Sequence, residues 1–338
     1  PLRKASEIVP PPPSNPVQTL PLEDSYLPPS NINEVVCSTL TVIGWVGYAD
    51  RNGIAAGADH MLVEVVNASS GAHLQWCWVD DDGNYSCPNV ANPYPTGVRT
   101  VARSWTNFSP NNDILAVVNP DVGTTNDYQN AFTIWSGISV FNTPSGCIGD
   151  IGGWWIDATG ADRVAFWVES DLIRGWEYIF HNTGQYQSPQ ETIGPATVEW
   201  KSNSTTGNYY IDGGNIYLKG AAPQTSITVV NHEYGHNIMY TIYGNYSPPT
   251  ACPSPHDIPD ASNTGCAWRE GWASFFSSAV NNEPVYYYST GGEINLETPT
   301  WGTTDWSDGD TVEGRVTGAL WDILDTANEG TDTYLNGN

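Results

Sequence analysis

Ser226-Ile227-Thr228-Val229-Val230-Asn231-His232-Glu233-Tyr234-Gly235-His236-Asn237-Ile238-Met239-Tyr240 is the stretch on which the reading of this chain turns. Thr225 or Ser226 can cap its start and Gly244 suits its stop, so it reads as a helix. Positions i and i+4 share one helix face, so the imidazoles of His232 and His236 can reach one ion. Zinc takes nitrogen ligands and, in catalytic sites, leaves one position open to water. Glu233, beside the first ligand, is placed to take a proton from that water. The competing reading is a pair of surface histidines on an amphipathic helix.

A third ligand decides between them. Farther along runs Ala267-Trp268-Arg269-Glu270-Gly271-Trp272-Ala273-Ser274-Phe275-Phe276. Trp268, Trp272, Phe275, Phe276 and Ala279 form an apolar helical face. A lone glutamate in such a segment is costly unless it is paired or bound to metal. Glu270 is therefore the expected third ligand, against the alternative of a salt bridge with Arg269 or Arg315.

The two motifs together, His-Glu-Tyr-Gly-His and Trp-Arg-Glu-Gly-Trp-Ala-Ser-Phe-Phe, resemble the gluzincin class of zinc metallopeptidases, and within it the fungalysin/thermolysin-like group. The resemblance spans residues 156–330. It implies that His232, His236 and Glu270 bind Zn2+, that Glu233 is the general base, and that the enzyme is an endopeptidase. Fungalysin-like sequences carry an aspartate four residues after the glutamate ligand, as partner of a ligating histidine, where this chain has Ser274. A hydroxyl can accept from an imidazole N–H but carries no charge, which lowers ligand basicity. No histidine follows Glu270 to stabilise the transition state, so Tyr286, Tyr287, Tyr288, Tyr240, Tyr243 and the upstream His256 are the candidates. The group continues into further helix beyond this point, so a C-terminally shortened domain is expected. The last helix is expected over 311–326, with Asp310 and Glu313 as a capping box.

Composition narrows the partners. With 11 Lys+Arg against 37 Asp+Glu the net charge is −26. Such a field repels nucleic-acid phosphates and anionic membrane surfaces. No run approaches the 18 or so apolar residues of a membrane span. The expected partner is a peptide or protein substrate. The 15 Trp, 18 Tyr and 7 Phe argue against a disordered chain.

Six cysteines without a C-x-x-C pair favour disulfides over a zinc ribbon. Cys77 and Cys87 flank the turn Asp80-Asp81-Asp82-Gly83, and Cys252 and Cys266 bracket a Pro/Asp/Asn/Gly loop. That leaves Cys37 with Cys147. Asn-x-Ser/Thr sequons at Asn67, Asn84, Asn107, Asn203 and Asn245 are glycosylation candidates. The chain begins at Pro1 without a signal-peptide pattern. The expectation is a processed piece of a secreted or surface protein.

The fold class expected is multidomain: an N-terminal all-β antiparallel sandwich followed by an α+β zincin-like metallopeptidase domain. Residues 1–35, with Pro10 to Pro13, read as an extended arm. Residues 36–155 read as short Val/Thr/aromatic strands between turns. They resemble prealbumin-like or carboxypeptidase-regulatory-like sandwich modules, with an Asp-x-x-Gly-x-Tyr hairpin at 80–85. Residues 156–338 are the expected peptidase domain. Asp305, Asp308, Asp310 and Glu313 are candidate Ca2+ donors, against a solvated loop with a helix cap. The alternative function is an extracellular surface or filament-forming protein on a metallopeptidase-like scaffold, self-associating through the arm or the sandwich. A serine hydrolase is disfavoured, since no Gly-x-Ser-x-Gly elbow occurs.

Overall fold

Short β-branched and aromatic runs bounded by Gly, Asn and Asp become strands along the first half of the chain. They are β1 (Thr39–Ala49), β2 (Ala55–Gly57), β3 (Leu62–Asn67), β4 (His73–Trp78), β5 (Asn84–Ala91), β6 (Val98–Arg103), β7 (Trp105–Phe108), β8 (Asp113–Val118), β9 (Thr133–Trp135) and β10 (Ile148–Trp155). Helix α1 (Arg163–Thr183) follows, then β11 (Ala196–Glu199), β12 (Tyr209–Tyr210), β13 (Ile216–Tyr217), α2 (Ala222–Thr225), α3 (Val229–Ile242), α4 (Thr264–Asn281), β14 (Val285–Tyr287), β15 (Glu293–Asn295) and α5 (Glu313–Leu324). The computed structural model describes residues 37–108, 113–142, 145–156, 162–183, 193–247, 252–253, 256–299 and 301–325. Pro1–Val35 and Val36–Asn338 are separate units, and the expected Pro-rich arm lies outside the described residues.

Three larger sheets organise the second unit. In one, β1 pairs parallel with β10 and antiparallel with β2 and β5. A second is antiparallel, in the order β4-β3-β6-β9. The third is mixed, in the order β12-β13-β11-β8-β7. In it β8, β11 and β13 run parallel while β7 and β12 close the two edges antiparallel. The architecture is thus mixed α/β with many antiparallel pairings.

The division expected at residue 155 needs correction. Strands β7 and β8, from the expected sandwich, hydrogen-bond into the sheet of β11 to β13. One buried cluster runs from Val42 and Val63 through Leu115 and Phe166 to Tyr234 and Phe276. Phe108 stacks on Trp176 of α1 with centroids 3.7 Å apart. Buried Asp113 of β8 accepts from Trp176 Nε1 at 3.1 Å and from Ile193 N at 3.0 Å. The strand pattern reveals that strands exist but not their distant partners, and here those partners lie beyond residue 155.

The cysteines join as Cys37–Cys147, Cys77–Cys87 and Cys252–Cys266. The first links the segment before β1 to the start of β10. The last ties the loop that carries His256 to the first turn of α4.

Helices α3, α4 and α5 pack in sequence, and glycines set the spacing. A Cβ at Gly235 would lie 3.1 Å from Ala273 Cα, so α3 and α4 touch backbone to backbone. A Cβ at Gly271 would come within 2.8 Å of Glu313 O, so α5 rests directly on α4.

Candidate metal centre

Helix α3 is buried along residues 229–239, its polar side chains included. Burying Asn231, His232, Glu233, His236 and Asn237 together is costly unless partners compensate. Some partners are structural: Asn237 Nδ2 donates to Pro195 O at 2.7 Å and Tyr234 OH to Gly194 O at 3.3 Å, docking α3 beneath the strand β11. The helix start is held by Ser226, whose Oγ accepts from Val229 N at 3.1 Å. Thr228, the N-cap residue, makes no side-chain cap and turns instead to β14. Its Oγ1 donates to Tyr287 O at 2.9 Å and accepts from Tyr287 N at 3.1 Å.

His232, Glu233 and His236 converge on one pocket with Glu270 of α4. His232 Nε2 lies 3.4 Å and His236 Nε2 3.1 Å from the same Glu270 Oε2. One ligand atom from each of the three lies within 4.8 Å of the others. The alternative pairing of Glu270 with arginine is not the one formed. Arg269 bonds Asp212 at 2.8 Å, and Arg315 bonds Asp308 at 2.8 Å. The donor set suits zinc: two imidazole nitrogens and a carboxylate oxygen, presented from α3 and α4 into a pocket. The pocket is lined by His232, Glu233, His236, Glu270, His256 and Tyr286, with Asn208 and Tyr210 from the β12 side. Cys252 Sγ sits 3.7 Å from Glu270 Oε1, so the third disulfide backs the third donor.

Electrostatics separate the two glutamates. Burial pushes the Glu233 carboxyl up; His232 opposes this and the Glu270 charge adds to it, leaving it at about 7. Burial also pulls Glu270 upward, but the charges and hydrogen bonds of His236 and His232 outweigh it and hold Glu270 well below the usual carboxylate range. Burial, with the charges of Glu233, Glu313 and Glu270, drives the Tyr286 hydroxyl well above its ordinary value, so it keeps its proton.

The other expected residues distribute as follows. Ser274 faces His232, with Oγ 3.2 Å from Nδ1. His256 stands at the pocket rim, its Nδ1 3.4 Å from Glu313 Oε2. Glu313 raises the His256 imidazole above its usual range, burial opposing. Tyr287 is not in the pocket; its neighbour Tyr286 is, with its ring 5.7 Å from that of His232. Side chains alternate along β14, so only every second tyrosine of 286–288 can face the site. Tyr240 lies in an adjoining pocket with Gly213 and Asn245, and Tyr210 is the wall common to both pockets. Tyr243 is exposed and accepts from Trp268 Nε1.

Among the described residues the candidate Ca2+ donors do not gather as a metal-binding group. Asp308 is taken by Arg315 and by Gly302 N, and Glu313 turns inward to Ser274 and His256. The capping box does not form, since Glu313 is the first residue of α5 and its N-cap is Val312. Among the described residues one further grouping, Asp59, His60 and Glu177, is half-exposed and lies outside the pocket. Of the sequons, Asn84, Asn203 and Asn245 are exposed while Asn67 and Asn107 are half-buried.

Sequence reasoning missed Asn208, Tyr210 and the inward role of Glu313. Asn208 and Tyr210 precede the turn Asp212-Gly213-Gly214, and that hairpin could have flagged an edge strand. Nothing local marks Glu313 as a neighbour of Ser274.

Residues 182–338, a little under half of the chain, match the family model of the mycolysin C-terminal domain, which occurs in mycolysin- and thermolysin-family metallopeptidases. No curated protein matches the chain. Among solved structures, a 9R-lipoxygenase from Cyanothece PCC8801 matches at 10% identity. It covers 48% of this chain and 27% of that one with a TM-score of 0.22, too low to bear on fold or activity.

Proposed function

We propose that this chain is a zinc-dependent metallopeptidase, an endopeptidase acting outside the cell. The observation that carries the reading is the convergence of both imidazole Nε2 atoms on Glu270 Oε2, with Glu233 in the same pocket. The match of residues 182–338 to a metallopeptidase-associated domain supports it independently. Zinc held by His232, His236 and Glu270 would supply Lewis acidity, polarising the scissile carbonyl and acidifying a water molecule.

The chain's own residues do the rest. Glu233, buried in the same pocket as the three donors, is placed to take a proton from that water and return it to the leaving amine. Tyr286 keeps its hydroxyl proton and can donate it to a developing oxyanion. His256, held by Glu313, offers a second donor from the rim. β12 is an edge strand of the mixed sheet and lines the pocket through Tyr209 and Tyr210. An extended peptide adds readily to such an edge, which favours a polypeptide substrate. Three disulfides support an oxidising exterior. Among the described residues no helix is long and apolar enough to cross a membrane.

Stripping the metal with a chelator is the test of the zinc requirement. Cleavage of a casein-type substrate is expected to vanish on stripping and to return with added zinc. Cleavage that survives verified metal removal would overturn the reading.

A further inference from the structure

Ser274 occupies the position where a carboxylate would support His232, yet a carboxylate does reach that position from another helix. Ser274 Oγ donates to Glu313 Oε1 at 2.9 Å, and both side chains are buried. A serine hydroxyl has a single proton, and an ionised Glu313 can only accept. With that proton committed to Glu313, Ser274 Oγ must accept from His232 Nδ1, 3.2 Å away. The His232 tautomer follows: Nδ1 carries the hydrogen, and Nε2 presents its lone pair towards Glu270, where the ion is to be held. The second oxygen of Glu313 faces His256 Nδ1. One buried carboxylate thus touches both a metal-donor relay and the rim histidine.

We propose that Glu313 is the positioning residue of the metal centre, acting on His232 through Ser274 while orienting His256 directly. The serine–glutamate pair spans α4 and α5, where the fungalysin/thermolysin-like resemblance implies a single aspartate on α4. Two features of the packing suit this role. Gly271 lets α5 approach α4 closely enough for the Ser274–Glu313 bond. Thr317 Oγ1 donates to Gly271 O at 3.0 Å, pinning the next turn of α5 to the same place.

The inference rests on the zinc reading of the pocket, and its test uses metal affinity rather than turnover. Zinc dissociation constants are measured by chelator competition for the full chain, Glu313→Gln, Ser274→Ala and the double variant Ser274→Asp/Glu313→Gln. Melting of the chelated proteins by circular dichroism monitors the fold. Loss of an outer partner of a ligating histidine costs about 10–100-fold in metal affinity, which is the loss expected for Glu313→Gln and for Ser274→Ala. The double variant keeps one buried negative charge and moves it beside His232, so most of the lost affinity should return. Unchanged affinity in a folded Glu313→Gln overturns the inference, and so does a loss that the double variant does not restore, since the effect would then come from packing. If Glu313→Gln does not fold, Ser274→Ala decides, because it breaks the relay and leaves Glu313 with His256. A wild-type chain that binds no zinc would instead overturn the metallopeptidase reading itself.

Discussion

Glu169 sits in α1 with both carboxylate oxygens buried and without a hydrogen-bond partner among the described residues. Burial pushes its pKa well above the ordinary carboxylate value. Above the unfolded-state pKa the unfolded chain loses this proton while the folded chain keeps it. Stability therefore falls as pH rises through that window, by about 1.4 kcal/mol per pH unit. Glu169→Gln removes the titration, so it should raise the melting temperature at pH 7 and leave it nearly unchanged at pH 4. Equal shifts at both pH values in calorimetry would contradict this. At the same scale the grouping of His232, His236 and Glu270 was legible in sequence: two histidines four apart on one helix, and a glutamate stranded in an apolar one. The choice among Tyr286, Tyr287 and Tyr288 was not, because it depends on which face of β14 meets the pocket. Glu313 was equally hidden. Its neighbours Ser274 and His256 are close in space and far in sequence, and its place at a helix start imitates a cap.

At the scale of elements, the site is an assembly of helices whose spacing small residues set. A methyl at position 271 would press on Glu313 O and on Val316, so α5 must shift away from α4. Gly271→Ala is expected to cost about 1–3 kcal/mol, the usual range for overpacking. It should also weaken zinc binding by separating Ser274 from Glu313. Destabilisation with unaltered zinc affinity would show that α5 contributes packing alone. The last helix, expected over 311–326, spans Glu313–Leu324. The distances between helices did not follow from the sequence, because a glycine in a helix marks a close approach without naming what approaches.

Over the whole molecule, the strand-rich half and the helical half share one core. Phe108 and Trp176 stack across the expected boundary, and Asp113 accepts from Trp176 Nε1 and from the backbone N–H groups of Ile193 and Gly194 beyond it. Trp176→Ala should cost about 3–5 kcal/mol and lower a single unfolding transition. A chain cut after residue 155 should give no independently folded β half, since β7 and β8 lose the sheet they complete. Two separate transitions, or a folded 36–155 fragment by NMR, would reinstate the two-domain division. The sequence pattern showed strands first and helices later, and that order suggested two domains. Sheet partners are set by non-local pairing, which periodicity does not encode.

Turnover is the most direct test of the central claim. A mixed library of internally quenched peptides would be presented to the zinc-loaded full chain and to Glu233→Gln, which keeps the shape of the side chain but cannot accept the proton. With zinc content matched, the native chain should cleave, and the variant should be slower by about 10²–10⁴-fold. No cleavage by a folded, zinc-bound native chain, or equal cleavage by both, would contradict the assignment of this pocket as a peptidase centre.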